Sequence, residues 1–207
     1  MRIDRAGVPY VAAALVPAVV MSALGRPGLA VPLVALAGVL AYFFRDPDRK
    51  VPARADVVLS PADGRVLTAG HTAVAGAPDG EWQQISIFLS PLDVHVNRVP
   101  VSGRLVRVEY QPGRFWPAYR DEAATRNERN ELWIDRGGEM VICRQISGVL
   151  VRRVVCRIPA GTEVRAGERF GIMKFGSRID LFLPTRAVLA VRPGDHVRAG
   201  ESILATF

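Results

Sequence analysis

Gly161-Thr162-Glu163-Val164-Arg165-Ala166-Gly167-Glu168 returns 33 residues later as Gly194-Asp195-His196-Val197-Arg198-Ala199-Gly200-Glu201. Both copies read Gly-x-x-Val-x-Ala-Gly-Glu and both run into an apolar stretch, so a turn-strand-turn unit is used twice. Two copies are too few for a solenoid array. Ser60-Pro61-Ala62-Asp63-Gly64-Arg65-Val66 reads as the opening strand of such a unit. Further outward, β-branched runs recur at Val57-Val58-Leu59, Ile85 to Leu89, Leu105 to Tyr110, Leu132-Trp133-Ile134, Val149 to Arg157 and Ile179 to Leu183. Gly- and Pro-bearing turns separate them, the pattern of an antiparallel sheet or sandwich. Arg120 to Asn130 is the one polar stretch suited to a helical turn or a long loop.

The repeated phrase resembles the half-motif of biotinyl and lipoyl domains, in which two quasi-symmetric β-hairpin units pack face to face. That resemblance implies a mainly β, barrel-sandwich-hybrid-like core. A fold of this kind names no function by itself.

Ahead of the β-patterned region, Ala6 to Leu24 and Leu29 to Phe44 are nearly free of charge and are joined by Gly25-Arg26-Pro27-Gly28. Each run falls a little short of the ~20 residues of a straight transmembrane helix. Two readings stand: a helical hairpin that crosses the bilayer twice, or a re-entrant or interfacial anchor. Pro9, Pro17 and Pro32 would kink the helices and favour the shallower one. Arg2 and Arg5 precede the first run, and Arg45, Arg49, Lys50 and Arg54 follow the second, so both flanks belong on the cytoplasmic face. A cleaved signal peptide fits less well, because a second apolar run follows at once and no small-x-small site intervenes. Residues 1–44 are therefore expected to anchor the chain, and 45–207, after the linker Arg45-Asp46-Pro47-Asp48, to form a β-rich domain.

The chain carries 27 Lys+Arg against 20 Asp+Glu. Three of those bases and one of those acids precede residue 45, which leaves the β-rich part 24 against 19 without a dense basic run. Nucleic acid is a poor partner for such a surface; anionic lipid headgroups suit it better. Cys143 and Cys156 form no CxxC pair and read as buried, reduced thiols.

Met173-Lys174-Phe175-Gly176-Ser177-Arg178-Ile179-Asp180 carries the chemistry. A serine after a glycine can attack the preceding carbonyl where the backbone is held in a strained turn, and elimination then leaves an N-terminal pyruvoyl group. An ordinary hairpin turn is the commoner fate of Gly-Ser. Attack requires a base near the hydroxyl and donors around the developing charge. His95, in a β-patterned run between Asp93 and Asn97, is the leading base, whereas His71 and His196 sit in Gly-rich turns and read as surface residues. Taken alone, His95 reads as a hydrogen-bonded structural residue and Asp63 as an Asx-turn residue.

Phe43-Phe44-Arg45-Asp46-Pro47, Ser60-Pro61-Ala62-Asp63-Gly64, Ser90-Pro91-Leu92-Asp93-Val94-His95-Val96-Asn97-Arg98-Val99-Pro100, Asn127-Glu128-Arg129-Asn130 and Lys174-Phe175-Gly176-Ser177-Arg178 together resemble the short, archaeal and bacterial, form of phosphatidylserine decarboxylase. They keep that family's order and span nearly the whole chain. The resemblance implies conversion of phosphatidylserine to phosphatidylethanolamine and carbon dioxide at the cytoplasmic face of the cell membrane. It implies a proenzyme that cleaves itself between Gly176 and Ser177 into a large chain, 1–176, and a small chain, 177–207, which remain together. Ser177 becomes the covalent pyruvoyl cofactor, the substrate amine condenses with its ketone as a Schiff base, and no metal is required. His95 and Asp63 join Ser177 in self-cleavage by the same resemblance. Longer family members carry a second histidine where this chain has Arg98, so either His95 serves both steps or another group takes one. Arg178, Arg129 and Arg98 are candidates for the substrate phosphate, with apolar walls expected near its carboxylate; Phe115 and Trp116 face lipid or fill the core. The rival reading, from a different class, is a membrane-tethered carrier or binding module modified at Lys174, since Met173-Lys174 is similar to the hairpin at which biotinyl domains are modified.

Overall fold

A computed structural model describes residues 2–71, 79, 81–149, 154–173 and 177–207. The chain divides into two compact units, 1–48 and 49–207.

In the first unit, β1 (Arg2–Ile3) pairs antiparallel with β2 (Arg45–Asp46), which brings the two ends of the unit together. Between them, α1 (Val8–Ala23) and α2 (Pro27–Phe43) pack against one another, with Ala14, Ala18, Ala30 and Ala37 buried. Pro9 lies in the first turn of α1 and Pro27 opens α2, where a missing N–H costs nothing. Pro17 and Pro32 are accommodated inside the helices. Helices of 16 and 17 residues rise only about 24–26 Å. Among the described residues, no helix is long and apolar enough to cross a membrane.

The second unit is mainly β. Its elements are β3 (Val57–Leu59), β4 (Gly64–His71), β5 (Trp82–Leu89), β6 (Val96–Arg98), β7 (Gly103–Gln111), α3 (Ala123–Arg126), β8 (Arg129–Asp135), β9 (Met140–Ile146), β10 (Val154–Cys156), β11 (Glu163–Val164), β12 (Arg169–Met173), β13 (Ser177–Pro184), β14 (Val188–Leu189), β15 (His196–Val197) and β16 (Ile203–Thr206). Eight strands form one curled sheet in the order β11-β7-β8-β9-β13-β5-β4-β15, and two three-stranded sheets, β10-β12-β6 and β14-β16-β3, complete the unit. Every named pairing is antiparallel.

Period-two alternation assigns the faces. Ile85, Ile87 and Leu89 of β5, Leu132 and Ile134 of β8, Val141 and Cys143 of β9, and Ile179, Leu181 and Leu183 of β13 share one core with Val58, Val154, Met173 and Leu204 from the small sheets. The small sheets therefore cover the inner face of the large one. Strand β9, absent from the sequence reading, follows β8 through the turn at Gly137-Gly138, where both glycines hold positive φ. Cys143 is buried and Cys156 partly so, both as free thiols.

The two sequence repeats are structurally equivalent. Gly161 donates to the Leu105 carbonyl and Leu105 to the Thr162 carbonyl; Gly194 and Val66, with Asp195, repeat the pattern. Val164 pairs with Gly103 and Val197 with Gly64. The Ala166 amide donates to Ser102 Oγ at 2.9 Å, and the Ala199 amide to Asp63 Oδ1 at 2.8 Å. A Cβ at Gly64 would run into the Phe88 carbonyl, and one at Gly103 into that of Asp135, so both strand-opening glycines are required by close backbone approach.

Candidate active site

Ser177 opens β13, hydrogen-bonded between two neighbours. Its Cα partner on β5 is Leu89, and the Arg178↔Ile146 pair on the other side brings Ser147 level with it. By alternation Ser177 shares the inward face with Ile179 and Leu181. Its side chain is fully buried, and its Oγ has no hydrogen-bond partner among the described residues.

The other flank of the same segment is held just as firmly. Met173 ends β12, where its amide donates to the His95 carbonyl at 3.1 Å and Val154 of β10 is its partner across the ladder. Leu89 and His95 belong to one connection, β5 to β6, folded by the Ser90–Asp93 turn: the Asp93 amide donates to the Ser90 carbonyl, and the Ser90 amide to Asp93 Oδ2. A single short loop therefore grips the chain on both sides of residues 174–176. Lys174, Phe175 and Gly176 themselves, and with them the scissile bond and the rival modification site, lie outside the described residues.

His95 is fully buried, and its Nδ1 lies 2.9 Å from the Asp93 carbonyl oxygen. An Nδ1–H donating there places the lone pair on Nε2, the tautomer a base needs. His71 and His196 are exposed.

A chain of amides lines the space between the sheets. Asn130 Nδ2 donates to Gln145 Oε1 at 3.3 Å, and Gln145 Nε2 donates to Asn97 Oδ1 at 2.8 Å. Asn97 Nδ2, fully buried, has no partner among the described residues, and neither has Ser147 Oγ. Cys156 Sγ donates to the Ile158 carbonyl at 3.4 Å, and burial raises its pKa. Asn127 is saturated: its Nδ2 donates to the Trp116 and Ser147 carbonyls and its Oδ1 accepts from the Trp116 amide. Glu128 Oε1 accepts from the Val154 amide at 3.1 Å, which ties β10 to the same corner. Gln145 and Ser147 escaped the sequence reading; the available signal was a pair of polar residues continuing the inward parity of Val141 and Cys143.

Asp63 stands two strands from Ser177, across β5. Its carboxylate takes both hydrogen bonds from Arg49 Nη2, at 2.9 and 2.7 Å, besides the Ala199 amide. The three arginines occupy distinct surroundings. Arg178 is buried on the opposite face of β13, bidentate to Asp180 at 2.5 and 2.9 Å and bonded to Ser86 Oγ. Arg98 donates to the Gly167 carbonyl and lies against Gly200, between the two repeats. Arg129 donates to the Thr125 carbonyl; burial first, then neighbouring Arg144, lowers its pKa. Phe115 is partly exposed. Among the described residues no group of His, Cys, Asp and Glu is placed to hold a metal ion.

Comparison with known proteins places this geometry in a family. The sequence model described as Phosphatidylserine decarboxylase matches residues 36–205. A phosphatidylserine decarboxylase proenzyme of Solibacter usitatus (strain Ellin6076) is 42% identical over 205 residues, 99% of this chain and 97% of that protein. One of Pelodictyon phaeoclathratiforme is 45% identical over 168 residues, covering 80% of this chain and 78% of its own, and one of Burkholderia mallei is 43% identical over 204 residues, covering 98% and 94%. With the match running from α2 through the buried Ser177 to β16, the chain belongs to the phosphatidylserine decarboxylase family.

Proposed function

We propose that this chain is a proenzyme that cuts itself before Ser177 and then, as a pyruvoyl-dependent carboxy-lyase, decarboxylates phosphatidylserine to phosphatidylethanolamine. The observation that carries the reading is the placement of Ser177: a hydroxyl fully buried, without a partner among the described residues, and fixed at a strand start beside the loop that bears His95. A buried serine of purely structural use would have a partner.

In the first stage His95 accepts the Ser177 hydroxyl proton, and Oγ attacks the carbonyl carbon of residue 176. The C–N bond breaks, its nitrogen takes the proton, and an ester joins the two chain segments. Loss of the Ser177 Cα proton then expels the carboxylate of residue 176, and hydrolysis of the resulting enamine releases ammonia. The ketone so formed supplies an electron sink for the pair left behind when carbon dioxide departs. The surroundings fit such a group: Leu89, Ile179 and Met173 keep the inner face apolar, while Asn97 and Ser147 bring neutral donors and no carboxylate. Arg178 is neutralised by Asp180 on the far face, which favours an apolar environment for the departing carboxylate over a guanidinium clamp. Arg129 remains the candidate for the phosphate, and Asp63 acts with His95 in self-cleavage.

Cleavage yields a large chain, 1–176, and a small chain, 177–207. β13 sits between β5 and β9, β16 beside β3 and β15 beside β4, so ladders join the small chain to the large one. Residues 1–44 act as a membrane anchor: a hydrophobic helical hairpin with Val16, Val19, Val31 and Val39 exposed, short enough to lie in the interface at the cytoplasmic face. The β-rich domain belongs with the barrel-sandwich hybrids, on the strength of its duplicated turn-strand unit.

Mass spectrometry of the denatured wild-type protein tests the proposal. Two chains are expected, the smaller with a pyruvoyl-blocked N-terminus, and Ser177→Ala is expected to stay intact and release no carbon dioxide. An active, unbroken wild-type chain with an ordinary serine at 177 refutes it.

A further inference from the structure

We infer that Asn97 is a self-cleavage residue whose Nδ2 donates to Ser177 Oγ as charge develops there, and that Asn130 and Gln145 are positioning residues that orient it. The inference rests on the proposed self-cleavage and assigns a group beyond the serine, histidine and aspartate named above.

The amide chain has a direction. Because Asn130 donates to Gln145 Oε1, the Gln145 NH2 points onward, and because it donates to Asn97 Oδ1, the Asn97 NH2 must point onward too. That terminal donor is fully buried and has no partner among the described residues; Ser177 Oγ is in the same state. Gln145 is level with Ile179 on β13, and Ser177 is the next residue of β13 on that inward face, about 7 Å further along the strand. Asn97 is held at the Gln145 rung from the facing sheet. One of these groups is a donor and the other is able to accept, and in a dry interior each alone carries a desolvation cost.

The internal duplication supplies a control. The Met173 amide donates to the His95 carbonyl at 3.1 Å; in the other copy the Phe207 amide donates to the Asp56 carbonyl at 3.0 Å. Two residues on, Asn97 pairs with Gly171, and Val58 pairs with Ala205. Val58 is a fully buried member of the core. The fold is thus satisfied by valine at this position, and the asparagine occurs only in the copy that faces Ser177.

Its chemical use follows from where charge appears. When Oγ gives up its proton and attacks, a donor on Oγ steadies the developing alkoxide. When the ester later eliminates, the Cβ–Oγ bond breaks, both electrons leave on Oγ as part of the residue-176 carboxylate, and the Cα proton passes to a base. A neutral donor brought onto Oγ stabilises that leaving oxygen.

Two substitutions separate this role from packing. Asn97→Asp keeps the acceptor for Gln145 and removes the donor; Asn97→Val copies the other repeat. Self-cleavage, followed by the appearance of the small chain on denaturing gels after synthesis, is expected to slow about 100-fold in both, the usual effect of losing one such donor. Hydroxylamine added to Asn97→Asp is expected to release a small chain with a free Ser177 amine, because the ester forms and stalls before elimination. Gln145→Glu, which draws the Asn97 amide back onto the new carboxylate, is expected to slow cleavage with Asn97 intact, and it decides the matter if the Asn97 variants do not fold. Wild-type cleavage rates in Asn97→Asp and Asn97→Val, or in Gln145→Glu alone where those two do not fold, overturn the inference. A wild-type chain that never cleaves overturns the proposed function instead.

Discussion

The Arg49–Asp63 pair allows the structural and catalytic claims on Asp63 to be separated. Arg49 and Asp63 side chains are only 6% and 14% exposed, and Arg49 keeps one further contact, to Glu201 at 3.5 Å. In the other repeat the position of Asp63 is held by Ser102, which caps the Ala166 amide just as Asp63 caps that of Ala199. Asp63→Ser therefore preserves the cap and strands the guanidinium. Breaking a buried pair from one side costs about 3–5 kcal/mol, and the residual Glu201 contact argues for the lower end, about 3 kcal/mol. For a domain of this size that is a fall in Tm of about 6–12 °C. The measurement belongs in a Ser177→Ala background, so that cleavage does not change the melting species. Adding Arg49→Met removes the stranded charge and is expected to restore at least half of the loss. With Ser177 present, the double variant then reports on chemistry: a stable protein that no longer cleaves assigns Asp63 a role in self-cleavage, and a stable protein that cleaves normally confines it to the cap. Melting of Asp63→Ser within about 2 °C of its parent refutes the reasoning about the pair.

Burial pushes both thiols up in pKa, so neither Cys143 nor Cys156 is expected to react with iodoacetamide at pH 8 in the native protein, and both are expected to react once it is unfolded; a rapid native adduct at Cys143 contradicts its place in the core. The Lys50 amide, and then Arg49, hold the Glu201 carboxyl below its ordinary 4.5. Its stabilising contribution is complete above that value and lost as pH falls through the lowered folded pKa, so the Tm gap between wild type and Glu201→Gln is expected to close as pH falls below 4.5. The side chain is partly exposed, so the gap at pH 7 should stay below about 1 kcal/mol, and a gap that widens on acidification contradicts the sign. Gly64→Ala drives a Cβ into the Phe88 carbonyl, whereas Gly138→Ala meets open space and only a positive φ. Thermal melts are expected to show the first losing more than about 2 kcal/mol and the second about 1 kcal/mol; equal losses argue against the close approach of β4 to β5.

Turn chemistry and strand alternation were legible because they are local. The Gly-x-x-Val-x-Ala-Gly-Glu repeat located β11 and β15, and the β-branched runs located β3, β5, β7, β8 and β13. Strand β9 was passed over because Arg144 and Gln145 interrupt its apolar run; Arg144 is stabilised across the sheet by Glu131 and Gln145 by Asn97, partners that no local pattern reveals. Arg178 illustrates the same limit. Adjacent residues of a strand point to opposite faces, so Arg178 lies on the other side of β13 from Ser177, where Asp180, two residues on, shares its side.

Where the duplicated halves agree, the fold explains the residue: Val164 and Val197 fill equivalent core positions, and Gly103 and Gly64 allow equivalent backbone approach. Where they differ, the fold does not require the particular residue found. Ser102 against Asp63 exchanges a neutral cap for a charge that holds Arg49. Val58 against Asn97 exchanges core hydrocarbon for an amide whose Nδ2 has no partner among the described residues. Asp56 against His95 exchanges a carboxylate that bonds Arg54 at the surface for a buried imidazole. All of these departures lie on the two antiparallel stretches that open the halves, Asp56–Asp63 and His95–Ser102, and on the second stretch His95 and Asn97 pair with β12, which ends at Met173. A duplicated scaffold in which one copy keeps the packing residue and the other carries the reactive one concentrates polar groups at a single place in an otherwise apolar core. That arrangement predicts that transplanting the packing residues, Asn97→Val together with His95→Asp, abolishes self-cleavage. The asparagine half of that change should leave the sheet pairing of β6 intact, as measured by amide exchange at Val96 and Arg98.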